Sequence, residues 1–357
     1  MEENTTVSTA SSASRLAWVD CVRGFAILLV LIGHSGCFPD VKQYIYGFHM
    51  PLFFILSGFL FNFEKWQSAG FWEFFKSRVR CYLIPYFSLA TICLCIRLAL
   101  DYFAYGVSAS ALWASVLPYV KWILYSSSFP CPSCGHLWFL AALFVASLFL
   151  YGLMAMFKKS AVAGFLGCFF AILINYDLNT FSLPLLPFHM DVAMIAALFM
   201  LIGVAIRNWR LLEKPLPIYA IAALFIVGSY AIRTNVFVDM NSRVYCNYLL
   251  MFVGATFISF LIFYLFKKYS VSNRYLSSLG KNTILIIGFN PYANGLAVTL
   301  YHQLPGKAYV DCPWYLLLLF DVVFFALLIF FFNLLAEKLP FLNVLVGKKV
   351  TRKSERN

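Results

Sequence analysis

Charge is what this sequence has least of. Asp, Glu, Lys and Arg make up 12% of its 357 residues, about half of the ~25% typical of a soluble domain. Acidic residues are the scarcer sign, 15 against 27 basic ones, so the chain carries a formal +12. The missing polarity is replaced by apolar residues, at 62%. A soluble chain of this length has no interior large enough to hide them. An ordinary cytosolic enzyme, a disordered protein and a disulfide-stapled secreted domain are therefore excluded. Other absences narrow the chemistry. There is no Gly-rich phosphate loop and no Ser-centred nucleophile elbow. No two of the five histidines have the tight spacing of a zinc-binding helix, so no metal site is expected. Neither a repeat at solenoid periods nor a second soluble domain is visible.

What is present is a series of long apolar runs, the signature of a polytopic all-α membrane bundle. At 1.5 Å per residue, a crossing takes about 20 residues. About ten candidates lie near residues 17–37, 44–62, 82–103, 137–157, 161–176, 190–207, 215–233, 246–267, 282–301 and 313–336. The fifth and sixth are short, with polar residues close by. A further apolar stretch at 111–125 is short for a crossing and suits an interfacial or re-entrant segment.

Basic residues alternate along this plan. One set of loops holds only Lys42, Lys121, Arg233, Arg243 and Lys307. Arg23 and Arg97 fall inside spans, and all the other Lys and Arg lie in the opposite loops and tails. Basic loops stay on the cytoplasmic side, so both termini are expected there, in a plasma (inner) membrane. Such a distribution reflects topology rather than nucleic-acid binding. Residues 1–15 are polar, Ser/Thr-rich and lack the basic start of a signal peptide, so the first span is expected to remain as an anchor. They read as a disordered cytoplasmic tail, 16–337 as the membrane domain and 338–357 as a basic cytoplasmic tail.

The first span carries Asp20, Arg23 and His34. Ionisable groups inside a membrane usually face the bundle interior or a wet cavity. Arg23 and His34 are eleven residues apart, about 20° short of or past three whole helical turns and about 16 Å along the axis. Asp20 lies about 40° off the same line and is spaced to pair with Arg23 at i,i+3. For Asp20 and Arg23 an interfacial ion pair that only sets helix depth is one reading, and a functional role is the other. His34 is deeper and needs a partner or water. His49, His136, His189 and His302 all fall at outer ends of spans. Ser57-Gly58 in the second span allows close helix packing or a kink, and packing is the simpler reading. Arg78 and Arg80 follow an aromatic amphipathic stretch. They suit anionic lipid, or a phosphate gripped by paired guanidinium donors. Cys131 and Cys134, in an outer loop, are spaced for a local disulfide.

Several of these segments resemble the integral-membrane acyltransferase-3 family, the O-acetyltransferases of its sugar O-acetylase-like branch in particular. The resemblance rests on Asp20-Cys21-Val22-Arg23-Gly24 running on to Ile32-Gly33-His34-Ser35, and on Phe48-His49-Met50-Pro51 through Ser57-Gly58-Phe59. Arg78 followed by Leu83-Ile84-Pro85-Tyr86, and Leu137-Trp138-Phe139-Leu140, extend it. It implies a catalytic His34 served by Arg23 and Asp20, with Arg78 and Arg80 holding the phosphates of acyl-CoA. The family's second arginine, three residues after Arg78, is replaced by Cys81. The stretch Ser277–Thr283 also resembles the family, but its usual following histidine is Asn290 here, which hydrogen-bonds and cannot act as a base. His49, Ser57 and Asn290 are expected to meet the acceptor. The resemblance thus implies transfer of an acyl group, acetyl by preference, from acyl-CoA to a hydroxyl of a carbohydrate or other surface-destined acceptor. Acyl-CoA enters as a substrate, with no permanently bound cofactor. A multi-pass transporter or flippase is the rival reading of the same polar first span.

Overall fold

The computed structural model describes residues 3–125, 134–184, 186–304 and 312–348, with side chains from Ala17 onward. Helix dominates. Among the described residues the sole β pairing is an isolated bridge between Asp239 and Val244.

The first helix, α1 (Glu3–His34), continues the first span back through the segment expected as a disordered tail. No Gly or Pro occurs between residues 3 and 23 to stop it. The second expected span is broken. It comprises α2 (Pro39–Tyr46), α3 (His49–Phe59) and α4 (Phe63–Ala69), with α4 bent 58° from the pair before it. Pro51 explains the first break. It lacks an N–H and is tolerated in a first turn, so α3 begins two residues ahead of it.

Next come α5 (Phe71–Arg78), a π-helical turn at Val79–Leu83 and α6 (Ile84–Phe103), which together make one 33-residue apolar unit. The π turn has a cause in the sequence. Pro85 cannot donate to the carbonyl of Cys81 four residues earlier, and the Ile84 amide reaches back five residues to Val79 instead. The 111–125 stretch forms α7 (Ala109–Tyr125), interrupted by Pro118.

The remaining helices are α8 (Trp138–Lys159), α9 (Ala161–Thr180), α10 (Met190–Asn208), α11 (Ile218–Thr234), α12 (Tyr248–Lys268), α13 (Arg274–Lys281), α14 (Thr283–His302), α15 (Trp314–Lys338) and the short α16 (Leu342–Leu345). Eight helices among the described residues are long and apolar enough to cross a membrane, and nine if the bent unit counts as one. The apolar α11, at 17 residues, is shorter than these. The fifth and sixth expected spans are both full crossings in length, α9 at 20 residues and the 187–208 segment at 22. The chain is a multi-pass membrane helix bundle.

Burial sorts the helices into centre and rim. The α10 crossing has 78% of its most apolar window buried, against 11% for α9. Around α10 pack α3 and α8, while α1 packs on α12 and α13. Glycines set two of these contacts. A Cβ on Gly58 would overlap the Met200 carbonyl of α10, and one on Gly203 would overlap the Ile55 carbonyl of α3. Likewise a Cβ on Gly24 would strike Leu276, and one on Gly280 would strike Asp20. Backbones approach this closely only across small residues. Ser57-Gly58 is therefore a packing device, and α13 lies directly against the polar stripe of α1.

Candidate functional site: two cavities sharing one aromatic wall

The α1 stripe opens onto two cavities. The first, of about 580 Å³, lies at the Arg23 end of the bundle. Arg23, Ser57, Cys81, Tyr82, Lys281 and Lys348 line its polar part. The second, of about 330 Å³, lies at the His34 end, with His34, His136, Asn241 and Asn290 in its wall. Phe53, Phe139 and Ile287 line both. The Phe53 and Phe139 rings sit 5.5 Å apart, centroid to centroid. The two spaces thus share an apolar wall that includes the Phe53 and Phe139 rings.

At the Arg23 end, Asp20 takes two cations. Arg23 Nη1 lies 3.4 Å from its Oδ1, as i,i+3 spacing predicts, and Lys281 Nζ lies 3.8 Å from its Oδ2. Both pairs are partly exposed, so each contributes little to stability. Their effect is to hold positive charge at the cavity mouth. The Ser57 hydroxyl donates to the Phe53 carbonyl at 2.8 Å, the back-bond usual for Ser within a helix.

Arg78 and Arg80 lie elsewhere and line neither cavity. The Arg78 guanidinium is packed among the rings of Trp66, Phe74 and Tyr82, at 5.3, 5.3 and 5.6 Å, and donates to Ser77 Oγ. Arg80 is exposed. Arg78 reaches the cavity only through Tyr82, whose other surroundings form the wall. Stacking of this kind fixes the π turn.

At the other end, His34 is exposed and borders the second cavity. Tyr46 stands 6.1 Å away, centroid to centroid. Asn290 is 6% exposed, and its Nδ2 is buried without a hydrogen-bond partner among the described residues. A buried donor of this kind costs about 1–3 kcal/mol unless something fills it. Asn241 presents the complement, a buried Oδ1 with no partner among the described residues. His136 donates from Nε2 to the Gly288 carbonyl at 2.9 Å, which leaves Nδ1 as the acceptor of a neutral ring. Pro291 lies within α14, and a proline inside a helix frees a carbonyl on its N-terminal side. The cavity therefore offers an imidazole, an amide donor and an amide acceptor to a polar guest.

His49 is not part of either wall. Its Nδ1 donates to the Ile45 carbonyl at 2.9 Å, and its ring lies 4.9 Å from Tyr46. It ties the end of α2 to the start of α3 and backs the tyrosine that faces His34.

Asn241 arrives on a loop with its own anchor. Asp239 pairs with Val244 across a tight turn, and its carboxylate accepts from the Asn241 amide at 3.0 Å and from Ser242 Oγ at 2.9 Å. Arg243 then forms a buried ion pair with Asp191 at 3.3 Å. The Asp191 carboxylate also accepts from the backbone amides of Leu186 and Val192, and its backbone carbonyl accepts from Asn175 Nδ2. This loop fastens to the N-terminal end of α10, the most buried crossing.

Sequence reasoning reached Arg23, Ser57, His34 and Asn290, and the structure distributes them over two adjoining cavities. It missed Asn241, for which no local signal exists, and it gave Lys281 and Lys348 no place in the site, although Lys281 falls in the Ser277–Thr283 stretch that resembles the family. Of the pair Cys131 and Cys134, Cys131 lies outside the described residues.

No curated protein and no solved structure matches the chain. A family model does, over nearly its whole length: the acyltransferase domain, at residues 16–331. The chain is an acyltransferase-3 family membrane protein, a multi-pass acyltransferase.

Proposed function

We propose that this acyltransferase moves an acyl group, acetyl by preference, from cytosolic acyl-CoA to a hydroxyl of a carbohydrate or other surface-destined acceptor. The observation that carries this reading is the pair of cavities on one stripe of α1. Cations crowd the first, His34 borders the second, and Phe53, Phe139 and Ile287 line both. The excess of basic residues in the loops on the Arg23 side supports a cytosolic Arg23 end in this reading. The donor's anionic head would rest there, and its thin thioester arm would pass Phe53 and Phe139 toward His34. The acceptor would enter from the opposite side. An acyl group then crosses the membrane while the bulky donor does not.

In this scheme His34, as a neutral imidazole, takes the hydroxyl proton while the acceptor oxygen attacks the thioester carbonyl. The carbonyl π electrons move to oxygen, and Asn290 Nδ2 donates to the developing oxyanion. Collapse breaks the C–S bond. The imidazolium returns its proton to the departing thiolate, so the ester and a free thiol leave and the enzyme is restored. Asp20 positions Arg23. Ser57 lines the donor cavity, and His49 backs Tyr46 from outside both walls.

The test uses the full chain purified in detergent with acetyl-CoA, reading release of free thiol. The wild type should release thiol slowly to water and faster with a suitable sugar. H34A, inserted and folded normally, should release essentially none. Undiminished turnover by H34A sinks the assignment of the base, and a wild type that never cleaves or exchanges the thioester favours a transporter instead. Mass spectrometry of surface glycans from cells with and without the gene identifies the acceptor.

A further inference from the structure

The matched family region ends at residue 331, yet the chain beyond it returns to the first cavity. After α15 and α16, residues 346–348 run against the π turn and supply Val346, Gly347 and Lys348 to the cavity wall. This return depends on one glycine. Gly347 has φ +74, in the left-handed region, and a Cβ there would stand 2.8 Å from the Cys81 carbonyl. That carbonyl is the one Pro85 leaves without its α-helical donor. Val346, 5% exposed, locks the segment from its other side.

Lys348 is thereby drawn to a junction. A further polar cavity of about 590 Å³, walled by Ser272, Asn273, Arg274 and Ser277, shares Lys281, Asn282 and Lys348 with the first. Lys348 Nζ donates to Asn282 Oδ1 at 2.7 Å and lies 5.4 Å from the Phe332 ring. Among the described residues no carboxylate lies within ion-pair distance of it, whereas Lys281 has Asp20. Burial pushes the Lys348 ammonium below its usual pKa, and an anion beside it would offset that cost. The first turn of α14, with amides that lack partners inside their own helix, also lines the first cavity.

We propose that residues 346–348 complete an anion site where the two cavities meet, in which Lys348 and Lys281 grip the phosphate groups of a phosphorylated thioester donor. The proposal rests on the acyl-CoA reading above and relocates the grip from Arg78 and Arg80 to α13 and the returning tail. The polar cavity accepts the nucleotide end of the donor. The first cavity, apolar beyond its mouth, accepts the pantetheine arm.

Isothermal titration of the purified full chain with CoA, and with pantetheine as the probe lacking phosphates, separates the possibilities. K348Q should weaken CoA about tenfold or more, the loss of one charge-assisted contact, and leave pantetheine unchanged. K348R should restore most of the CoA affinity. Equal CoA affinity for wild type and K348Q overturns the Lys348 assignment alone. An equal loss for CoA and pantetheine also overturns it, since the side chain would then only support the fold. A wild type that binds neither CoA nor acetyl-CoA overturns the donor reading and the anion site with it.

Discussion

Arg23 and His34 lie on the same stripe of α1 but border different cavities, with Phe53, Phe139 and Ile287 as the shared wall. One helix thus carries a cation to one chamber and an imidazole to the next. About 16 Å of helical rise separates them, a distance suited to a thin acyl-carrying arm and not to a nucleotide.

The partition should control leakage. F139A removes a large ring from the common wall and joins the chambers. Thiol release to water is expected to rise relative to transfer onto the acceptor, because water gains a path to the thioester. Measuring both products from one reaction decides it; an unchanged ratio means the ring does not separate the chambers during turnover.

Asn290 offers a donor that no described residue uses. N290A should lower kcat by about 10²–10³, the usual loss of one oxyanion donor, with little change in KM. A KM effect alone would instead make Asn290 a ground-state contact for the acceptor.

The buried Arg243–Asp191 pair fastens the Asn241 loop. R243A strands a buried carboxylate and should cost about 3–5 kcal/mol, seen as a lower melting temperature in detergent. R243A/D191N should recover part of that loss. N241A should leave melting nearly unchanged while raising KM for the acceptor. Equal melting of R243A and wild type would remove the anchoring role.

The glycine pairs predict coupled packing. G58A and G203A each push apart α3 and α10, at about 1–3 kcal/mol by the usual cost of overpacking. The double variant should cost less than the summed singles, because one separation relieves both overlaps. Strict additivity in thermal melts would show that the two contacts yield independently.

Much of the bundle was legible in the sequence because the bilayer imposes length and apolarity on each crossing. The acidic and basic groups of α1 were legible too, since charge inside an apolar run is costly and conspicuous. The two short spans were harder to read because polar residues crowd their ends. Breaks were partly visible at Pro51 and Pro85, but the bend of α4 and the π turn depend on which carbonyls find new donors. The packing role of Gly58 needed its partner Gly203, almost 150 residues away in the chain, and sequence spacing carries no record of such meetings.

The sequence by itself determined that this chain crosses a membrane many times, that Arg23 and His34 share a face, and that the protein resembles a family of acyltransferases. Local physics sufficed, because helical periodicity and the cost of buried charge act within a single segment. Only the tertiary structure decided that the face opens onto two chambers, that Arg78 sits in an aromatic cage, and that Asn241 and Lys348 reach the walls. Those outcomes follow from helix-on-helix contact, where a missing Cβ or a proline-freed carbonyl in one segment admits a residue from another far along the chain.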